Sequence, residues 1–155
     1  MKSLNQRGFA LLEVIFVTAI ISTLALVAVP KFNQTLDKLT LDYEMKRFCN
    51  TVEFISSMNR TASYNPEVFS NKIASGKDIV NLEIADDGKS YQPGNKLYKN
   101  ILPTGFSIEP TDKIVFSPSG RHNYSGTITI TSRLGDTAEI IFDSVGRWRG
   151  SRNGK

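Results

Sequence analysis

One stretch of this chain leaves few options for its fold: an unbroken apolar run from Phe9 to Val29, closed by Pro30. Its 21 residues are softened only by Glu13, Thr18, Ser22 and Thr23. At the helical rise such a run reaches roughly 32 Å, against about 30 Å of hydrocarbon in a bilayer, which predicts one membrane crossing. Lys2 and Arg7 precede the run with no acid among them. By the charge rule the short leader stays cytoplasmic and the chain after Pro30 emerges on the far side.

Glu13 is the anomaly in this run. An acid in the first turn of a helix gains roughly 0.3–1 kcal/mol from the helix dipole, but placing it in lipid costs about 2.5–3.5 kcal/mol. It needs a cation, and no basic residue lies between Phe9 and Val29. A cut between Gly8 and Phe9 would create one, the α-amino group of Phe9, with Glu13 as the fifth residue of the new chain. That amine meets the Glu13 carboxylate of its own helix or that of a neighbouring copy at the same depth. In the second case the buried acid becomes an assembly signal. Three plainer readings compete. A secretory signal has a shorter apolar core that ends in a small-residue cleavage site. A plain signal anchor explains the run but leaves Gly8 and Glu13 without a reason. A glutamate that reaches back to the headgroups explains Glu13 alone.

Arg7-Gly8 followed by Phe9-Ala10-Leu11-Leu12-Glu13-Val14-Ile15, with Pro30 near the end of the run, resembles the leader and stem of type IV pilins and type II secretion pseudopilins. The resemblance implies that a prepilin peptidase cuts between Gly8 and Phe9 and methylates the Phe9 amine. It also implies that Glu13 guides the subunit into a filament of other pilin or pseudopilin subunits. The implied location is the bacterial inner membrane, crossed once with the N-terminus cytoplasmic, and then a periplasmic or extracellular filament.

Of the 155 residues, about 125 lie beyond the apolar run, enough for one small globular domain. The net charge of +4 hides an asymmetry. Without residues 1–8 the chain has 17 basic and 15 acidic residues, and residues 144–155 hold Arg147, Arg149, Arg152 and Lys155 with no acid. The body is thus slightly acidic and the tail is basic. Cys49 is the single cysteine, so there is no intrachain disulfide. His122 is the single histidine, and no metal or cofactor site is expected. A catalytic reading finds no paired carboxylates, no Cys–His pair and no phosphate loop, and a non-catalytic subunit is expected.

The helix should continue past Pro30, which bends it without ending it. Leu36, Leu39, Leu41, Tyr43, Met45, Phe48, Val52 and Ile55 form one slowly drifting apolar stripe. Asp37, Lys38, Asp42, Glu44, Lys46, Arg47 and Glu53 fill the opposite side, and Cys49 sits beside the stripe as a packed, inert thiol. Tyr64-Asn65-Pro66 should end this helix of roughly 50 residues. Alternation follows, with a strand at Val80 to Ile84 and a turn at residues 86–89. Further short strands are expected at residues 96–102, 105–109 and 113–117. The clearest hairpin pairs Thr127–Thr131 with Ala138–Phe142 around Leu134-Gly135-Asp136. The region from Asn71 to Gly94 reads as the most loop-like.

Ile114-Val115-Phe116 with Pro118 and Gly120, then Gly126 to Ile130, Gly135, Ile140-Ile141 and Gly146-Arg147, are similar to the GspH/FimT group of minor pilins and pseudopilins. The expected class is α+β and pilin-like: a long N-terminal helix, membrane stem plus amphipathic spine, packed on small antiparallel β-sheets. The expected divisions are a leader at 1–8, a stem at 9–29, a spine at 30–64 and a β-rich domain at 65–155.

In the tail, Gly146-Arg147-Trp148-Arg149 matches the Gly-Arg-x-Arg pattern of FimT-type minor pilins, which in that subgroup is tied to DNA binding. The resemblance carries Arg147 and Arg149 over as DNA contacts. If the backbone is extended, these two arginines project to one side and Trp148 anchors the segment from the other. Arg152 and Lys155 extend the strip, and Arg121 and His122 join it if the fold brings their turn alongside. Four phosphate contacts would give log affinity a slope of about −3.6 against log salt. The plainer reading of the tail is a solvated basic end.

Overall fold

The computed structural model describes residues 4–64, 80–109 and 113–153. Helix α1 spans Leu4–Tyr64, with Pro30 inside it and not ending it. The strands are β1 (Leu82–Ile84), β2 (Ser90–Pro93), β3 (Asn100–Ile101), β4 (Ser107–Ile108), β5 (Gly126–Thr131), β6 (Thr137–Phe142) and β7 (Trp148–Asn153). Among the described residues they form two antiparallel sheets, ordered β1-β2-β3 and β4-β5-β6-β7. The chain divides into two compact units, residues 1–36 and 37–155. The architecture is the expected pilin-like α+β one. Asn65-Pro66 of the expected helix stop, residues 71–79 of the loop-like region, and Lys155 lie outside the described residues.

Within the second unit, one stripe of α1 is buried: Asp37, Leu41, Glu44, Phe48, Thr51, Val52, Ile55 and Asn59. These positions recur by threes and fours, as a packed helix face requires. The stripe's apolar members pack on Ile108, Ile128, Ile130, Ile140 and Phe142 of the second sheet and on Leu82 and Tyr91 of the first. Its phase corrects the sequence reading in two ways. Leu36, Leu39 and Tyr43 are exposed, whereas Asp37 and Glu44, expected on the solvent side, are buried.

The buried polar side chains of this stripe bond within the unit. Asp37 Oδ2 accepts the Leu134 N–H (3.2 Å) at the tip of the β5–β6 hairpin, with Arg133 3.8 Å from its other oxygen. Glu44 lies 3.4 Å from Arg47, and burial pushes its carboxyl above the usual range against the pull of that guanidinium. Asn59 clamps Val80 in both directions: its Nδ2 donates to Val80 O (2.9 Å) and its Oδ1 accepts the Val80 N–H (3.0 Å). Periodicity sees only hydrophobicity, so polar groups that satisfy buried backbone are assigned to the wrong face. Cys49 is buried as expected, and burial raises its thiol pKa to about 11, which keeps it protonated and inert.

The β5–β6 hairpin matches its prediction, with Ile128, Ile130, Ala138, Ile140 and Phe142 inward. Elsewhere the strands differ from expectation. Ser90–Pro93, inside the supposedly loop-like region, is the central strand of the first sheet and buries Tyr91. The strand expected over residues 96–102 shrinks to Asn100–Ile101 because Lys96 takes a positive φ of 55° in a turn. Within residues 113–117 only two bridges form, Ile114 with Leu82 and Phe116 with His122.

The turn at residues 117–120 is pinned to the helix by Ser56, whose Oγ donates to Gly120 O (2.7 Å). Gly120 has φ +78°, and a methyl group there would strike Ser56 O. Gly120→Ala is therefore expected to cost about 2 kcal/mol, read as a lower urea midpoint at unchanged m-value.

Candidate functional site

The stem comes first. Every side chain from Phe9 to Val29 is exposed, an apolar surface larger than soluble monomers ordinarily present. Its hydroxyls are satisfied by their own helix. Thr18 Oγ1 donates to Ile15 O (3.0 Å), Ser22 Oγ to Thr18 O (2.7 Å) and Thr23 Oγ1 to Ile20 O (2.8 Å). A carboxylate only accepts, and the helix interior has no free N–H to offer it. Among the described residues no ion pair includes Glu13. Phe9 and Glu13 are four residues apart in α1 and therefore share a face, with Phe9 74 % exposed. The Gly8–Phe9 bond also lies within α1. A protease needs the bond extended, and glycine lowers the cost of opening the helix there by about 1 kcal/mol relative to alanine.

The basic end is organised by a turn. Asp143 Oδ1 accepts the N–H of Val145 (3.0 Å) and of Arg147 (2.8 Å), and Oδ2 accepts Arg147 Nε (3.0 Å). The Arg147 backbone N–H, with the guanidinium and the Val145 N–H adding to it, holds the Asp143 carboxyl below the usual carboxylate range. A depressed acid contributes its stabilisation above its unfolded pKa and loses it as pH falls through the folded one. The turn should therefore hold at neutral pH and loosen only in acid. Beyond it the backbone extends as β7, paired to β6 by Phe142 with Trp148, Ile141 with Arg149, Ile140 with Gly150 and Ala138 with Arg152.

This register sorts the tail. Trp148 lies opposite buried Phe142 and packs on the core, the anchoring role expected of it. Arg147 and Arg149 line one open hollow of about 480 Å³ together with Ile141, Asp143 and Trp148. Both arginines are exposed. Arg152 pairs with buried Ala138, so its register position falls on the opposite face of β7 from Arg149.

The turn at residues 117–122 does come alongside: a methyl group at Gly146 would lie 3.1 Å from Arg121 Cβ. Arg121 is exposed and joins the basic end. His122 does not. It is buried, with Nδ1 2.8 Å from Tyr124 O and its ring edge-on to Phe142 at 4.9 Å. Asp143 was missed from sequence, although an acid four residues before an arginine across Ser-Val-Gly is a legible turn signal.

Residues 3–29 match the family model described as the prokaryotic N-terminal methylation motif, a type IV pilin-type signal. No curated protein and no solved structure matches the chain. The signal is of the kind carried by prepilin-processed, type IV pilin-like chains, and α1 is long and apolar enough to cross a membrane.

Proposed function

We propose that this chain is a non-catalytic minor pilin or pseudopilin subunit, cut between Gly8 and Phe9 by prepilin peptidase and methylated on the Phe9 amine. It then enters a type IV pilus or a type II secretion pseudopilus at or near the tip. The observation that carries this reading is the exposed apolar stem with one acid that forms no ion pair among the described residues, coincident with the methylation motif. Such a stem is stable in lipid or among other stems, and its acid is satisfied only where an amine is supplied. A small unit with two sheets and a basic edge, as in the GspH/FimT resemblance, supports a minor subunit over a bulk one. Mass spectrometry of membrane-extracted protein should find a mature chain that begins at a methylated Phe9. A chain still beginning at Met1, in cells with an active leader peptidase, overturns the reading.

A second reading, a receptor for DNA at the filament tip, is favoured by Arg147 and Arg149, which line the open hollow, with Arg121 beside Gly146 in the adjoining turn. Asp143 orients Arg147 without burying it, since its side chain is still 80 % exposed. Three phosphate contacts predict a slope of log affinity against log salt of about −2.7, shallower than the four-contact value. The Arg147→Gln/Arg149→Gln variant should lose about two of these contacts and flatten the slope to about −0.9 in gel-shift titrations. Equal retention of duplex DNA by both proteins removes the receptor reading and leaves the subunit reading intact.

A further inference from the structure

The four edges of the two sheets are not equivalent. β3 and β4 are two residues long, and β1 has three residues and is already bridged by Ile114. Short or occupied edges are how proteins avoid unwanted strand pairing. β7 is different: six residues at the outside of its sheet, with no proline.

Hydrogen-bond alternation fixes which of its backbone groups face outward. Asp143 N–H donates to Arg147 O (2.9 Å), which makes that pair a bonded one. In an antiparallel ladder bonded and non-bonded pairs alternate. Arg149, Ser151 and Asn153 therefore bond to β6, and the N–H and C=O of Trp148, Gly150 and Arg152 point to the open edge. The far side of the sheet gives the same phase independently. Glu109 N–H donates to Thr129 O (3.0 Å), so Thr129 faces β4, and its β6 partner Glu139 faces Ser151 of β7. Among the described residues, no backbone group bonds to those three edge residues.

We infer that the open edge of β7 receives an extended acidic peptide segment as a fifth strand of the sheet. Gly150 lies at the centre of the edge and offers no side chain to block an approaching strand. Arg147 and Arg149 stand on one face of the strand, so carboxylates of an added strand find cations there, and the Arg152 register position falls on the other face. Charge selects the occupant. A second copy of β7 would bring together two tails, each with Arg147, Arg149, Arg152 and Lys155 and no acid. Like charges across a strand pair oppose pairing, whereas opposite charges favour it.

The probe is the end-blocked heptapeptide Thr-Glu-Val-Tyr-Glu-Thr-Glu. Antiparallel pairing sets its glutamates opposite Arg152, Arg149 and Arg147 and its tyrosine over Gly150. It is titrated into the full-length protein in detergent micelles and followed by amide hydrogen exchange. The expected result is slowed exchange at Trp148, Gly150 and Arg152, with the Gln-for-Glu peptide about tenfold weaker. Gly150→Pro removes an outward N–H without breaking the β6 ladder and should abolish this protection. Gly150→Ala adds the same methyl against Met45, whose Sδ lies 3.0 Å from that position, but keeps the N–H and should still bind. If Gly150→Pro does not fold, Arg152→Pro removes the next outward N–H and gives the same reading. Unchanged exchange at the three amides under saturating peptide, equal binding of the Gln peptide, or undiminished binding by the proline variant each overturns the proposal.

Discussion

Glu13→Ala is expected to leave the cut between Gly8 and Phe9 intact while lowering incorporation into filaments by about two orders of magnitude. The size follows from the cost of an acid in lipid, about 2.5–3.5 kcal/mol on insertion scales. In a free subunit nothing among the described residues offsets that cost. Beside a Phe9 amine of a neighbouring subunit it is offset, so the acid biases the chain toward the assembled state by the same amount. Alanine removes both the penalty and the pairing, which makes the membrane a comfortable resting place. The Thr18, Ser22 and Thr23 hydroxyls cannot substitute, because each already donates to its own helix. The measurement is the ratio of subunit in sheared filaments to subunit in membranes, with the mature N-terminus checked by mass. Normal incorporation would sink the amine pairing. Glu13→Gln keeps the size and loses the charge, and should resemble alanine.

The stem was legible because an apolar run as long as Phe9 to Val29 shows in length and composition alone, and one acid within it stands out without reference to folding. The β5–β6 hairpin was legible for a similar reason, since Thr127 to Thr131 and Ala138 to Phe142 alternate cleanly around a glycine turn. What sequence could not give was the phase of the amphipathic half of α1. Leu36, Leu39 and Tyr43 compete with Leu41, Phe48 and Val52 for the inward face, and which set wins depends on where the sheets lie. The buried acids Asp37 and Glu44 belong to the same gap, for their partners are a hairpin tip 97 residues away and an arginine one turn on. β7 escaped notice because Trp148-Arg149-Gly150-Ser151-Arg152-Asn153 has almost no apolar alternation. Its pairing is set by β6, which has a bonded partner on one side and needs one on the other.

That phase has a direct test in a pair of helix substitutions. Phe48→Ala should destabilise the second unit by about 3–5 kcal/mol, a large share of the 5–15 kcal/mol that holds a typical domain. Phe48 is fully buried at the middle of the stripe, with its ring centroid 4.9 Å from that of Tyr91. The void cannot close easily, because β2 is tied on both sides: Ala85 N–H donates to Ser90 O (2.9 Å) and Leu102 N–H to Lys89 O (2.9 Å). Tyr43→Ala, at a site 62 % exposed, should stay within about 0.5 kcal/mol of the wild type. Trp148 is the single tryptophan and packs on this core, so its fluorescence during urea unfolding of the micelle-bound protein reports the unit directly. Equal destabilisation by the two variants would mean that the inward face is the one that periodicity alone predicts, with Tyr43 in the core. A large loss confined to Phe48 places the stripe that begins at Asp37 against the sheets. It leaves Leu39 and Tyr43 on a face that the unit's own folding does not require.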